Sequence, residues 1–296
     1  MIITPIEGLR DPFLLLDNGI YYLYGTGVFG RDWDNTTWAC YVNRSGKLNG
    51  TWEKTEKLIY ERPAYAEKQF WAPEVHKYKG LYYMFCTYFS SQTKHRGCTI
   101  LSAPTPTGPF VEITNGPITP SDRDAIDATL YVDDRGQPWL VFVHEWTCTD
   151  DRIGRMDVAK LSDDLTHLIS QPVELFRADS SPWTSRRVTD APYLHKLRDG
   201  KLIMLWSNTN EEGYCIGIVH SKTGDVLGPW EHENAPFYQR GVLDPHDGGH
   251  GMIFTDTDGQ QYICCHSPNK PCEECAERTV FIPIEEQNGT LRIVRS

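Results

Sequence analysis

A chain of 296 residues with a formal net charge of −11 offers no basic face to nucleic acid or to an anionic membrane. It contains no run of about 18 apolar residues and no polar or Pro/Gly-rich stretch that would serve as a linker, so one domain spanning 1–296 is expected. With 40% hydrophobic and 12% aromatic residues, the chain can bury a sizeable core and still present Trp and Tyr to a neutral ligand.

In chain order, a weak self-similarity recurs at a spacing of about 60 residues, the mark of stacked or radial repeats. The first unit is Asp11-Pro12-Phe13-Leu14-Leu15, then Gly19 and the run Ile20 to Gly25. Ala72-Pro73-Glu74-Val75-His76 follows, with Gly80 and Leu81 to Thr87. The third is Asp127-Ala128-Thr129-Leu130-Tyr131, with Gly136 and Trp139 to His144. Asp190-Ala191-Pro192-Tyr193-Leu194 opens the fourth, and His250-Gly251-Met252-Ile253-Phe254 the fifth. Each is a β-branched or aromatic run, a turn and a second such run, which is the pattern of a β-hairpin. A Gly-aromatic turn recurs further along as Gly50-Thr51-Trp52, Gly108-Pro109-Phe110 and Gly228-Pro229-Trp230. Helical periodicity between the runs is missing, so the expectation is an all-β, five-bladed β-propeller with four strands to a blade.

In a propeller the first strand of each blade lines the central channel. The residues that open those strands, Asp11, Ala72, Asp127, Asp190 and His250, are therefore expected to converge at one end of it. Antiparallel pairing returns the ends of the second strands to the same level, which adds Thr26, Tyr88, Glu145, Ser207 and His266. Three carboxylates around one pocket suit glycosidic bond hydrolysis, in which one acid protonates the leaving oxygen and another activates water or attacks. Crowding like charges pushes their pKa values apart, so one can stay protonated while another stays ionised. The bland alternative for each aspartate is turn chemistry at a strand start.

Arg10-Asp11-Pro12, Phe70-Trp71-Ala72-Pro73-Glu74-Val75, Ile126-Asp127-Ala128, Thr189-Asp190-Ala191-Pro192 and Gly249-His250-Gly251 occur in an order that resembles glycoside hydrolase family 43. These are inverting arabinofuranosidases, xylosidases and arabinanases built on a five-bladed propeller. The resemblance implies that Asp11 is the general base and that Asp127 orients the acid and raises its pKa. The family usually places Glu where Asp190 stands, one methylene longer by about 1.5 Å, against a site tolerance of about 0.5 Å. Asp190 is the preferred acid by register, with Glu145 as its rival at the rim. Trp71, His266 and Arg278 are expected to contact substrate, Arg278 by resemblance to an arginine that reaches towards the base. No cofactor is required, but His250 matches a histidine that helps to hold hydrated calcium in the channel of many members.

The expected function is release of terminal arabinofuranosyl or xylosyl units from oligosaccharides, the alternative being a degenerate propeller that binds sugar without turnover. Oligomeric state is not legible. Cys272-Glu273-Glu274-Cys275 has zinc-ligand spacing, but a tetrahedral site needs two further ligands, and Cys264, Cys265 and His266 lie in an expected strand. Nine cysteines cannot all pair within the chain, and Met1 to Pro5 lacks the character of a signal peptide. A reducing, cytoplasmic setting is expected.

Overall fold

The structure, a computed structural model, describes residues 1–27, 32–185, 187–270 and 275–295. It is a five-bladed β-propeller, and the only helical segments among the described residues are short 3-10 turns at Trp146–Cys148 and Ala178–Ser180. Blade 1 runs outward through Leu9–Asp17, Ile20–Gly27, Trp38–Asn43 and Glu53–Lys54. Blade 2 comprises Ala66–Tyr78, Leu81–Ser90, Arg96–Ala103 and Val111–Glu112. Blade 3 comprises Ala125–Val132, Pro138–His144, Arg155–Lys160 and Val173–Arg177. Blade 4 is Asp190–Lys196, Leu202–Asn210, Gly213–Ser221 and Trp230–His232.

Blade 5 is assembled from both ends of the chain. Gly249–Thr255, Gln261–Ser267 and Arg278–Gln287 are joined on the outside by the N-terminal strand Ile2–Glu7, with Ile2 opposite Phe281 and Glu7 opposite Arg278. Thr290–Ile293 pairs with the far end of the same strand. Closing the ring with the first strand ties blade 5 to blade 1 by main-chain hydrogen bonds and leaves no open seam.

The apolar core lies between blades. One cluster joins blades 1, 2 and 5 through Tyr24, Phe70, Tyr88 and Phe281, and a second joins blades 3 and 4 through Val143, Met156 and Trp206. Two others fill the seams between blades 4 and 5 and between blades 2 and 3. The Gly-aromatic turns lead into the outermost strands of blades 1, 2 and 4, so the third strand precedes them and only the fourth follows. At Gly108, φ is +77° and an added Cβ would lie 1.8 Å from the Ile59 carbonyl, which restricts the position to glycine.

Each innermost strand carries a β-bulge at one height, between Arg10 and Phe13, Trp71 and Glu74, Ile126 and Thr129, Asp190 and Tyr193, and Gly249 and Met252. The bulged residues Asp11, Ala72, Asp127, Ala191 and His250 all have φ between +43° and +57°. Left-handed backbone at a non-glycine costs of order 1–3 kcal/mol and persists where surrounding structure enforces it. That structure is a relay from blade to blade. The Ala72 N–H donates to Thr26 Oγ1 (2.8 Å), Asp127 N–H to Thr87 Oγ1 (3.0 Å), His250 N–H to Ser207 Oγ (2.9 Å) and Asp11 N–H to His266 Nδ1 (3.2 Å). At the third seam the facing residue is Val143, which has no acceptor, and Ala191 N–H turns to Asp127 Oδ2 (3.1 Å).

This register corrects two expectations. In blade 4 the bulged residue is Ala191, so Asp190 sits one position earlier, in line with Arg10, Trp71, Ile126 and Gly249. The second-strand partners of those residues are Thr26, Thr87, Val143, Ser207 and His266; Tyr88 and Glu145 lie beyond the expected height. Proline explains the slip. Pro73 and Pro192 lack an N–H and sit within their bulges, as Pro12 does, so aligning Ala-Pro with Ala-Pro gives the register that aligning aspartates misses.

Candidate active site

Asp11 lies at the channel mouth with its side chain 14% exposed. Its Oδ2 accepts from the Thr26 hydroxyl (2.7 Å), and its Oδ1 faces His250 Nδ1 at 3.1 Å. Burial alone would raise its pKa, but the charge and hydrogen bond of His250, reinforced by Arg10, hold the carboxyl well below the usual range. His250 is pushed the other way. Burial opposes its charge, yet Asp11 and Asp127 raise it to about 9, which makes it an imidazolium at neutral pH. His266 behaves differently: burial and the nearby Arg10 charge push it well below its ordinary value. It is therefore neutral, with Nδ1 accepting from the Asp11 N–H and Nε2 facing Asn269 Oδ1 at 3.4 Å.

Asp127 and Asp190 form the opposite half of the ring. Asp127 Oδ2 is 4.0 Å from His250 Nδ1, and burial together with Asp11 raises the Asp127 pKa. Asp190 accepts from the Tyr214 hydroxyl (3.0 Å) on Oδ2, and burial followed by the negative charge of Asp127 raises its pKa well above the ordinary value. Tyr214 also stacks on His266, ring centroids 5.5 Å apart and 14° from parallel, and so links the surroundings of Asp190 and Asp11. A Cβ at Gly249 would fall 2.3 Å from the Tyr214 ring, so the position must be glycine for the tyrosine to lie there.

Glu145 lies on the loop after the second strand of blade 3, where its N–H donates to the Asp124 carbonyl (3.0 Å). Its side chain is buried, and burial raises its pKa to about 7 against the pull of Arg96. Arg96 Nη2 stands 2.6 Å from Glu145 Oε2, a charge contact whose angles do not make a hydrogen bond, and also holds Asp124 (3.1 Å). The guanidinium lies over the Trp71 ring at 5.5 Å, and Trp71 Nε1 donates to the Trp33 carbonyl (2.9 Å). Trp33 is 48% exposed, meets Trp71 edge-on and carries Arg10 over its ring at 4.9 Å. The two tryptophans offer sugar-stacking surface beside the ring of acids.

Arg278 is not brought to the carboxylates. Its Nη2 donates to Glu7 Oε1 (2.5 Å) on the closing strand. The arginine at the base is Arg10, adjacent to Asp11 in sequence, with Nη1 on Glu277 Oε1 (2.5 Å) and Nη2 on Asn269 Oδ1 (2.8 Å). Arg10, Trp33 and Tyr214 were not singled out from the sequence. Arg10 was visible within the Arg10-Asp11-Pro12 motif, whereas nothing local marks Trp33 or Tyr214. The Cys272 to Glu274 part of the candidate zinc motif lies outside the described residues.

His250 Nδ1 is engaged by Asp11 Oδ1 at 3.1 Å, which leaves Nε2 as the nitrogen that could face a water of a hydrated ion, and no three His, Cys, Asp or Glu side chains among the described residues come together as a direct cation site.

A ring of buried acids at the mouth of a propeller, one with its pKa driven down and another with its pKa driven up, is the equipment of a glycoside hydrolase. The sequence matches the family model of glycosyl hydrolases family 43 over residues 5–291, and the chain belongs to that family. A solved structure described as an endo-arabinase from Bacteroides thetaiotaomicron VPI-5482 is 35% identical, with a TM-score of 0.82 over 98% of this chain and 99% of that one. A thermostable family-43 glycoside hydrolase shares the fold at 23% identity and a TM-score of 0.86, over 99% and 95% of the two chains. An extracellular exo-α-(1→5)-L-arabinofuranosidase of Cellvibrio japonicus is 24% identical over 292 residues, 88% of this chain and 78% of that protein.

Proposed function

We propose that the protein releases terminal pentose units, α-L-arabinofuranosyl or β-D-xylosyl, from oligosaccharides with inversion at the anomeric carbon. The observation that carries this reading is one ring that sets Asp11 against Thr26 and His250 and Asp190 against Tyr214, surroundings that drive the two carboxyl pKa values in opposite directions. Asp11, ionised, takes a proton from the attacking water, and the Thr26 and His250 contacts orient its carboxylate. Asp190, protonated, delivers its proton to the glycosidic oxygen as the bond to the anomeric carbon breaks. Asp127 supplies the negative charge that keeps Asp190 protonated until then. Glu145 is the less favoured acid, because its carboxylate is matched to Arg96. Trp71 and Trp33 stack on the sugar. A pentose substrate is supported by the arabinan-directed descriptions of two of the relatives.

The test is the configuration of the first product. Proton NMR of fresh hydrolysate should show the anomer opposite to the substrate, with no release by Asp11→Asn. Retention of configuration, or wild-type activity in that variant, would sink the mechanism. The seven cysteines Cys40, Cys86, Cys98, Cys148, Cys215, Cys264 and Cys265 form no disulfide, which supports a reducing setting; fractionation of the native cells checks it, and recovery outside the cytoplasm would overturn it.

A further inference from the structure

A second site lies outside the ring. A cavity of about 1000 Å³ opens on the outer part of blade 3, between its second, third and fourth strands and the loop of residues 120–123. Asp157, on the third strand, lines it. Its neighbours across the sheet are Phe142 and Glu174. The residue is 4% exposed, yet its carboxylate has no hydrogen bond and no ion pair, and burial followed by the Glu174 charge raises its pKa to about 6. His144, half-buried on the second strand, is likewise without a hydrogen bond, and burial lowers it to about 4. Buried polar groups are normally satisfied, so a carboxylate as enclosed as Asp157 that meets no partner in the protein and lines a cavity, with the half-buried His144 beside it, points to a partner held in that cavity.

The charges around the pair narrow what that partner is. Arg155 spends its guanidinium on Asp151 (3.0 Å) and Glu174 (3.1 Å), and Arg123 on Asp122 (2.8 Å). An anion would face the surplus acids. A metal ion would need a third converging ligand, and the described residues provide no such group. A ligand that donates to Asp157 and His144 without bringing a charge satisfies both, and a chain of sugar hydroxyls does so within a volume suited to a small oligosaccharide. We propose that this cavity is a second carbohydrate site, in which hydroxyls of a neutral oligosaccharide donate to Asp157 and His144. Residues 144 and 145 join it to the ring, His144 lining the cavity and Glu145 facing Arg96. The choice of sugar as ligand rests on the glycosidase reading; the unsatisfied cavity does not.

Calorimetric titration tests it, using α-1,5-arabinotriose and β-1,4-xylotriose on the full chain carrying Asp11→Asn to silence turnover. With one of the sugars, two sites are expected; adding Asp157→Leu should remove one, and adding Trp71→Ala should weaken the other. A single site abolished by Asp157→Leu and indifferent to Trp71→Ala would uphold the cavity and overturn the ring reading. A single site indifferent to Asp157→Leu, or no binding of either sugar, would overturn the cavity proposal. Both Asp157→Leu and the gentler Asp157→Asn should raise the Tm of the unliganded protein at neutral pH by roughly 2 °C, because each removes an unpaired buried charge. A fall in Tm with both variants would mean that Asp157 serves the fold, and would count against the proposal.

Discussion

Asp11 in blade 1 and Asp190 in blade 4 open equivalent innermost strands and share one ring of charge, yet their surroundings drive them to opposite ionisation states. Asp11 occupies the bulged, left-handed position itself, where its carboxylate meets a hydroxyl, an imidazolium and the adjacent Arg10. Asp190 stands one residue before the bulge, meets a single tyrosine hydroxyl, and feels the negative charge of Asp127. A shift of one residue in register thus separates a carboxylate surrounded by cations from one kept as an acid. The fold supplies equivalent positions, and the residues contributed by neighbouring blades make them chemically different.

The largest break in this comparison is expected from Asp11→Asn, which removes the base while keeping its shape. kcat/KM should fall by about 10³–10⁴, as measured on a nitrophenyl arabinofuranoside or xyloside, and Tm should fall at neutral pH because the asparagine no longer pairs with the His250 charge. Asp190→Asn should be nearly as damaging on natural linkages, by about 10²–10³, and much less so on nitrophenyl substrates, whose leaving group departs without a proton. Glu145→Gln in the same assay should cost less than about tenfold; a larger loss with the same leaving-group dependence would transfer the acid role to Glu145.

His250→Gln sharpens the comparison through pH. The wild-type acid limb of kcat/KM reflects protonation of Asp11 and should lie well below pH 4; without the imidazolium it should move upward, which a pH–rate profile would show. Stability follows the same split. Asp11, depressed on folding, contributes stability that is present above the ordinary aspartate range and lost as pH falls through its folded pKa. Asp190, raised on folding, costs stability as pH climbs above that range, so Asp190→Asn should raise Tm at pH 7 and change it little at pH 3.5. The smallest effect concerns the seams. Thr87→Val leaves the Asp127 N–H unpaired and should cost about 1–3 kcal/mol in urea unfolding, with activity reduced through the displaced Asp127.

The propeller was legible because hairpin patterns repeat locally and their spacing survives divergence. The closing strand was not, because Ile2–Glu7 pairs with a segment more than 270 residues away that carries no mark of its partner. The same blindness misplaced Arg278: Glu7 faces it only once the ring has closed. Asp11, Asp127 and His250 could be read from their register. Asp190 could be read as a member of the ring but not at its true height, since the prolines mark the bulge more faithfully than the acids do. Tyr214 was beyond reach, because it enters from a third strand and only the stacking on His266 and the close approach of Gly249 give it a place.

The opposite ionisation of Asp11 and Asp190 is the centre of this account, and carboxyl-carbon NMR titration of the free protein measures it directly, with signals assigned through Asp11→Asn and Asp190→Asn. Asp11 should remain ionised to the lowest pH at which the protein stays folded, while Asp190 should keep its proton well above the ordinary aspartate range. Two aspartates titrating together near pH 4 would contradict it.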